Sequence, residues 1–536
     1  MTRALAVTAI IAAVLALYVL RLDHAAGLYV DDAWFIVLAK ALAQQEGFAL
    51  ISSATGPILP AFPPGFPMLL APLVWWSPDF PGHVPLLKSV SIAAMFGVGA
   101  LSYFYLTRYR QVSSALAGAV AVLTVILPAF VFLATSTVMA EASFTLCQLG
   151  VAVSIERLAA ASPGKDTSRR VLVAGAISVI TLLVRAAGVA GIAAGVIYLA
   201  TKRGVRVAAL FLLLTIAGYT PWLMYSASHR PARDDRAAHG GSVSFAYSEL
   251  LAMRYGGEPS GGNVTLLEIP GRVSFNLINI FGRDLGAIMF PAAYRGASES
   301  GQEVFNLSGE VGLRAGSMGL GRETVIVSSL LSAVAVAGFF AAARRRLTVA
   351  EYIVVATVAM VALVPARTYR YVLPLAPFVL FYFLNGVQAL SSKFRRLADQ
   401  PMTAATRIAA LCMLILVGAE HAQYVWRASY GPPPDWIRGH QEVMSVIDWM
   451  NRNLSGDYTV VSTNPGLVYL MTGRKANAFT DPRNRWQRWR AQGFRYAVSL
   501  HDVEHPGPDL GYRVLFQAPR LRLWVIEIQP AAGDSN

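Results

Sequence analysis

TRALAVTAIIAAVLALYVLRLDHAAGLYVDDAWF, Thr2 to Phe35, sets an apolar run, Ala4–Leu20, about ten residues ahead of an acidic pair, Asp31 and Asp32. Acid is scarce in this chain: 31 Asp+Glu stand against 45 Lys+Arg in 536 residues. The chain is 55% hydrophobic and 14% charged, whereas soluble domains average about 25% charged. Its apolar residues come in long runs, the pattern of a polytopic membrane protein. Lipid offers no partner to a bare backbone N–H or C=O, so the runs are expected to be helices.

Eleven runs are candidate spans: Ala4–Leu20, Leu86–Thr107, Ser114–Ala134, Ala142–Ala159, Val171–Val184, Ala186–Ala200, Val207–Ser226, Thr324–Ala343, Val349–Pro365, Tyr371–Leu390 and Ile408–Gly418. No small-residue cleavage site follows the first run, so it reads as an uncleaved first span rather than a signal peptide. Basic residues follow every even-numbered run: Arg108 and Arg110; Arg157, Lys165, Arg169 and Arg170; Lys202, Arg203 and Arg206; Arg344 to Arg346; Lys393, Arg395, Arg396 and Arg407. The positive-inside rule then makes the N-terminus cytoplasmic and the odd-numbered exits external. The net charge of +14 is accounted for by these loops and calls for no nucleic acid. The expected organisation is a membrane domain over residues 1–420, with outer loops 21–85 and 229–321. An extracytoplasmic α/β domain follows over 421–536. In that tail Trp436–Asn453 has helical apolar spacing, and YTVV (458–461), YAVSL (496–500), YRVLF (512–516) and LRLWVIEI (521–528) read as strands.

The candidate chemistry gathers on the outer side. Asp31 and Asp32 precede a helix expected over Ala33–Gln44, and one of them can cap it. Neighbouring positions point to different faces, so the other is free to face a cavity as a general base. The segment Ile58–Pro67, ILPAFPPGFP, holds Phe62, Pro63 and Pro64 in a rigid irregular turn. Met68–Trp76 after it is too short to span and reads as interfacial, with Trp75 and Trp76 at headgroup level. Glu141 lies in the tight turn between the third and fourth runs. Arg185, Arg367 and Arg370 are cations on the external side, where topology disfavours them. The alternative for them is snorkelling to lipid headgroups; together they point to an anionic, phosphate-bearing ligand. Tyr371 follows Arg370 directly. Cys147 and Cys412 each sit inside an apolar run and have no metal-ligand spacing, and no HExxH is present. No Walker loop or GxGxxG opening a βαβ unit occurs, which disfavours nucleotide-dependent chemistry.

With these residues in place, the sequence resembles the GT-C superfamily of membrane glycosyltransferases. The likeness is to the bacterial branch related to protein O-mannosyltransferases and lipid A aminoarabinose transferases. It is carried by Asp31-Asp32-Ala-Trp-Phe, the FPPGFP of Phe62–Pro67, Glu141, Arg185, the RYVLP of Arg370–Pro374, and in the tail Trp449, TVVSTNP, YLMTGR and FRYAV. The family's usual pair is Asp-Glu, so Asp32 departs from it. The resemblance implies an inverting transferase of the bacterial inner membrane, moving a sugar from a polyprenyl-phosphate carrier to a lipid, glycan or protein hydroxyl. It implies Asp31 as base, Asp32 as an orienting partner, and Glu141 placing the acceptor or a metal. Arg185, Arg367 and Arg370 would hold the donor phosphate. No cofactor is required and a divalent cation is allowed. The competing readings are a transporter or flippase of a lipid-linked sugar, whose repeated halves are not visible here, and a non-catalytic envelope-assembly subunit.

Overall fold

The first apolar run folds as helix α1, Thr2–Arg21. Leu5, Val7, Ile10, Ile11, Leu15, Val19 and Leu20 all point outward from it, as lipid-facing side chains do. The computed structural model describes residues 2–162, 165–230, 245–255, 258–291, 322–365, 368–391, 402–479, 486–501, 503–506 and 510–528. Among them seven helical stretches are long and apolar enough to cross a membrane. These are Ala4–Arg21, Val84–Arg108, Asp166–Val184, Val205–His229, Val325–Arg345, Tyr369–Ser391 and Ala404–Ser429. The third expected run is two helices, α5 (Ser114–Val125) and α6 (Pro128–Thr135), bent by 46°. The bend falls where Pro128 opens α6, because proline cannot donate to the preceding turn. Counted as one span, the pair makes eight.

The other three expected runs are helices too, Glu141–Ala159, Val189–Arg203 and Val349–Leu363, but they are shorter or more polar. Glu141–Ala159 (α7) is buried on most of its faces, including Glu141, Thr145, Gln148 and Glu156. It packs against the helices Val84–Arg108 (α4), Lys165–Val184 (α8) and Val189–Arg203 (α9). A helix enclosed by other helices can carry polar side chains that lipid would reject. The last run is longer than its apolar core, a continuous helix Ala404–Ser429.

After α1 the chain builds α2 (Val30–Ala43) and α3 (Gly65–Trp76), which pack on each other through Phe35, Phe62 and Phe66, with ring centroids 5.0 and 5.1 Å apart. Helix α2 begins three residues before the expected start at Ala33. Its N-cap is Tyr29, so neither aspartate is the cap residue. Met68, Leu69, Trp75 and Trp76 of α3 are exposed, a face suited to the headgroup region.

The tail forms one five-stranded sheet in the order β4-β3-β5-β7-β6. Its strands are β3 (Val460–Ser462), β4 (Ala476–Ala478), β5 (Tyr496–Ser499), β6 (Tyr512–Gln517) and β7 (Trp524–Ile528). The hairpin β1 (Met253–Tyr255) and β2 (Glu258–Asn263) lies apart in the central loop. Strand β3 runs parallel to β4 and β5, while β7 is antiparallel to β5 and β6. Strand β4 went unread because its three residues, Ala-Asn-Ala, carry no β-branched signal. The helices Asp435–Asn453 and Pro465–Thr472 cover the sheet.

Candidate active site

Asp32 is fully buried and is the third residue of α2. Its Oδ1 accepts from the Tyr29 N–H at 3.2 Å and the Ala33 N–H at 2.9 Å, and its Oδ2 accepts from the Gly27 N–H at 2.9 Å. This is the carboxylate half of a capping box, satisfying backbone donors that a helix start leaves open. Burial pushes its carboxyl up to about 7, against the hydrogen bonds from Gly27 and Ala33. A group used up in this way anchors the turn.

Asp31, one residue earlier, turns the other way and stays 30% exposed at its side chain. Its Oδ2 accepts from Arg370 Nη2 at 3.1 Å. The same guanidinium reaches Glu141 Oε1 from Nη2 at 2.9 Å and from Nε at 3.0 Å. Arg185 Nη1 meets that oxygen at 2.7 Å. Four residues from four separate segments thus form one chain of charge, Asp31–Arg370–Glu141–Arg185. Glu141 is the first residue of α7 and fully buried, and two guanidiniums plus the positive end of a helix offset the cost of burying it. Its Oε2 has no hydrogen-bond partner among the described residues.

Each arginine is set by its own backbone. Arg185 sits in an extended conformation, φ −158° and ψ 129°, in the break between α8 and the 3-10 turn Ala186–Gly188. This break is why the fifth and sixth runs are two helices rather than one. Arg370 lies in the short helix Thr368–Val372 ahead of the buried helix Ala376–Ser391. Their guanidinium faces are covered by aromatic rings, Arg185 by Tyr371 at 5.2 Å and Arg370 by Tyr29 at 5.5 Å. Of the expected cluster, Arg367 lies outside the described residues, as do 231–244 and 292–321 of the central loop.

The proline segment acts through Gly65. A Cβ there would stand 2.6 Å from the carbonyl carbon and oxygen of Leu183, so α3 begins in direct contact with the last turn of α8, two residues before Arg185. Phe62 lies under Trp34 and Phe35 of α2. Phe62, Pro63 and Pro64 therefore shape the scaffold joining Asp31 to Arg185; they make no hydrogen bond to the cluster among the described residues. Sequence reasoning missed Tyr29 and Gly27, although both lie in GLYVDD. It also missed Asn464 of the tail, whose signature was Asn-Pro at a helix start. Its side chain donates to the Gly27 carbonyl at 2.9 Å.

The backbone as a whole has known counterparts. It matches the crystal structure of apo ArnT from Cupriavidus metallidurans with a TM-score of 0.57 and 10% identity, over 99% of each chain. It matches the same protein bound to undecaprenyl phosphate with a TM-score of 0.53 and 10% identity, over 98% of each. The chain has the GT-C fold. An oligosaccharyltransferase from Archaeoglobus fulgidus, tethered to an acceptor peptide, matches with a TM-score of 0.53 and 13% identity, over 92% of this chain and 68% of that one. At these identities the likeness is one of fold. No family model matches the sequence, and no curated protein matches it.

Proposed function

We propose that this chain is an inverting glycosyltransferase of the bacterial inner membrane that moves a sugar from a polyprenyl-phosphate carrier to an acceptor hydroxyl at the outer face. The observation that carries the reading is the chain Asp31–Arg370–Glu141–Arg185 on a GT-C fold. It combines a partly exposed carboxylate with two arginines whose geometry is fixed from behind by a third group. That is a base beside an anion site.

In the proposed reaction the acceptor O–H attacks the anomeric carbon as the C–O bond to the carrier phosphate breaks. Asp31 takes the hydroxyl proton. Arg370 and Arg185 hold the phosphate and stabilise the charge it gains on leaving, with Arg367 as a further contributor from the same segment. The carrier is already activated, so no nucleotide enters. Glu141 locks both arginines in place. Arg370 also ties Asp31 before donor arrives; phosphate competing for that guanidinium frees the Asp31 oxygen to receive the proton.

The proposed steps rest on Asp31 and the arginines alone, and a divalent cation is allowed beside them. Among the described residues no three His, Cys, Asp or Glu side chains gather to hold one, and Asp31 and Glu141 are both engaged by arginine. No step is routed through a metal. In this reading the N-terminus is cytoplasmic, eleven helices enter the membrane, and the tail is extracytoplasmic. The acceptor is a lipid, a glycan or a protein hydroxyl.

The test is transfer from radiolabelled polyprenyl-phosphate sugar in membranes carrying the chain, compared with Asp31→Asn. Loss of general-base catalysis lowers the rate by about 10²–10⁴-fold. Undiminished transfer by Asp31→Asn overturns the assignment, and donor binding without any transfer by the unaltered chain favours a flippase.

A further inference from the structure

The turn that presents Asp31 is held by two residues the proposed chemistry does not use. Gly27 adopts φ +75°, and a Cβ there would stand 2.8 Å from both Leu467 methyls of the tail. Its N–H goes to Asp32 Oδ2, and its carbonyl accepts from Asn464 Nδ2, 437 residues away in sequence, at 2.9 Å. Asn464 is 1% exposed, and its other polar atom, Oδ1, caps the helix Pro465–Thr472 by accepting from the Leu467 N–H at 3.2 Å. One amide therefore fixes a helix of the tail with its oxygen and the turn before Asp31 with its nitrogen.

The tail grips the same outer loop a second time, beyond α2. The Ala476 N–H of edge strand β4 donates to the Ser52 carbonyl at 2.8 Å. Asn477 Oδ1 accepts from Ser53 Oγ at 3.1 Å and from the Ala54 N–H at 3.0 Å, and its Nδ2 donates to Thr55 Oγ1 at 3.0 Å. Between the two grips Gly466 lies against Ala33 and Trp34 of α2, where a Cβ would stand 3.1 Å from the Ala33 Cβ. The start of the helix carrying Asp31 and the loop beyond it are thus both held by the tail.

We propose that Asn464 is a positioning residue for the transfer reaction, holding the Gly27–Asp32 turn so that Asp31 faces Arg370. This rests on the glycosyltransferase reading. A fixed base is worth more than a mobile one, because misplacement of a reacting group by about 1 Å can cost about 10²-fold in rate.

Asn464→Asp separates the two jobs of the side chain. An aspartate keeps an oxygen for the Leu467 N–H, and Asp is as good a cap as Asn. It puts a second oxygen, rather than a donor, against the Gly27 carbonyl. The expected result is a fall in kcat of at least about tenfold with donor KM within about twofold, since base placement and not donor binding is disturbed. The thermal midpoint falls as well, because a buried oxygen now faces the Gly27 carbonyl with no donor between them, so the kcat-against-KM split and the local exchange carry the test. In hydrogen–deuterium exchange the amides of 27–34 open faster, while those of 465–472 stay protected. A kcat equal to that of the unaltered chain overturns the proposal, as does unchanged exchange over 27–34. An unaltered chain that transfers no sugar instead overturns the activity reading, and the exchange measurement still decides whether Asn464 pins the turn.

Discussion

Arg370 is the residue on which the cluster turns, because one guanidinium serves two carboxylates from different segments. A lysine there supplies one point charge and cannot reach both with fixed geometry. Arg370→Lys is expected to raise the donor KM by about tenfold or more and to lower kcat as well, read by steady-state transfer. Arg370→Ala leaves buried Glu141 with Arg185 alone, and breaking a buried pair costs about 3–5 kcal/mol. Adding Glu141→Gln to Arg370→Ala takes the carboxylate from Arg185 as well, so the double variant is expected to lose more of the thermal midpoint than Arg370→Ala and to show no activity. Asp32 gives a pH signature. Its carboxyl rises from an ordinary 3.8 to about 7 on folding, chiefly through burial. Between those values the folded chain holds a proton that the unfolded chain has released. Stability from this group is therefore full below about 4 and declines as pH rises through about 7. The thermal midpoint is expected to fall from pH 5 to pH 8, and Asp32→Asn is expected to flatten that slope.

At the scale of elements, the site depends on helix starts and breaks more than on helices. Asp31 and Asp32 occupy the first turn of α2, Glu141 opens α7, Arg185 breaks α8 from α9, and Arg370 sits in a single turn before a buried helix. These are the places where backbone polar groups are unpaired and charge is tolerated. The contact between Gly65 and Leu183 ties two of them together. Gly65→Ala pushes a methyl into backbone that cannot yield as a side chain would. Overpacking of this kind costs about 1–3 kcal/mol. The expected outcome is a lower thermal midpoint together with weaker donor binding, since the displaced strand of chain leads directly to Arg185. Donor affinity equal to that of the unaltered chain would show that α3 does not set the arginine.

For the whole molecule, the proposed function depends on sidedness and on the tail. The proposed topology puts Asp31, Glu141 and the tail on one side, and the tail's contacts with Gly27 and Ser52–Thr55 require its domain and the first outer loop to share a side. A cysteine placed at exposed Ser455 is expected to react with an impermeant maleimide added to intact cells. Labelling only after the membrane is opened would invert the orientation.

Much of this was written along the chain. The apolar runs and the basic exits follow from hydropathy and charge, because lipid forces helices and loop cations bias their direction, while the GT-C likeness rests on motifs such as Asp31-Asp32 and Phe62–Pro67. Asp31, Glu141, Arg185 and Arg370 stood out as charges where charge is costly. Sequence could not divide the labour of Asp31 and Asp32. That depended on α2 starting at Val30, which turned Asp32 inward onto three backbone N–H groups and left Asp31 facing Arg370. Nor could it join Asn464 to Gly27, a contact made across 437 residues through a carbonyl that every residue carries. Periodicity and composition determine which segments enter a membrane. Only the packed tertiary structure decides which of two neighbouring carboxylates is spent on the backbone and which is left facing Arg370, because that choice rests on burial and on a contact across 339 residues that no local pattern encodes.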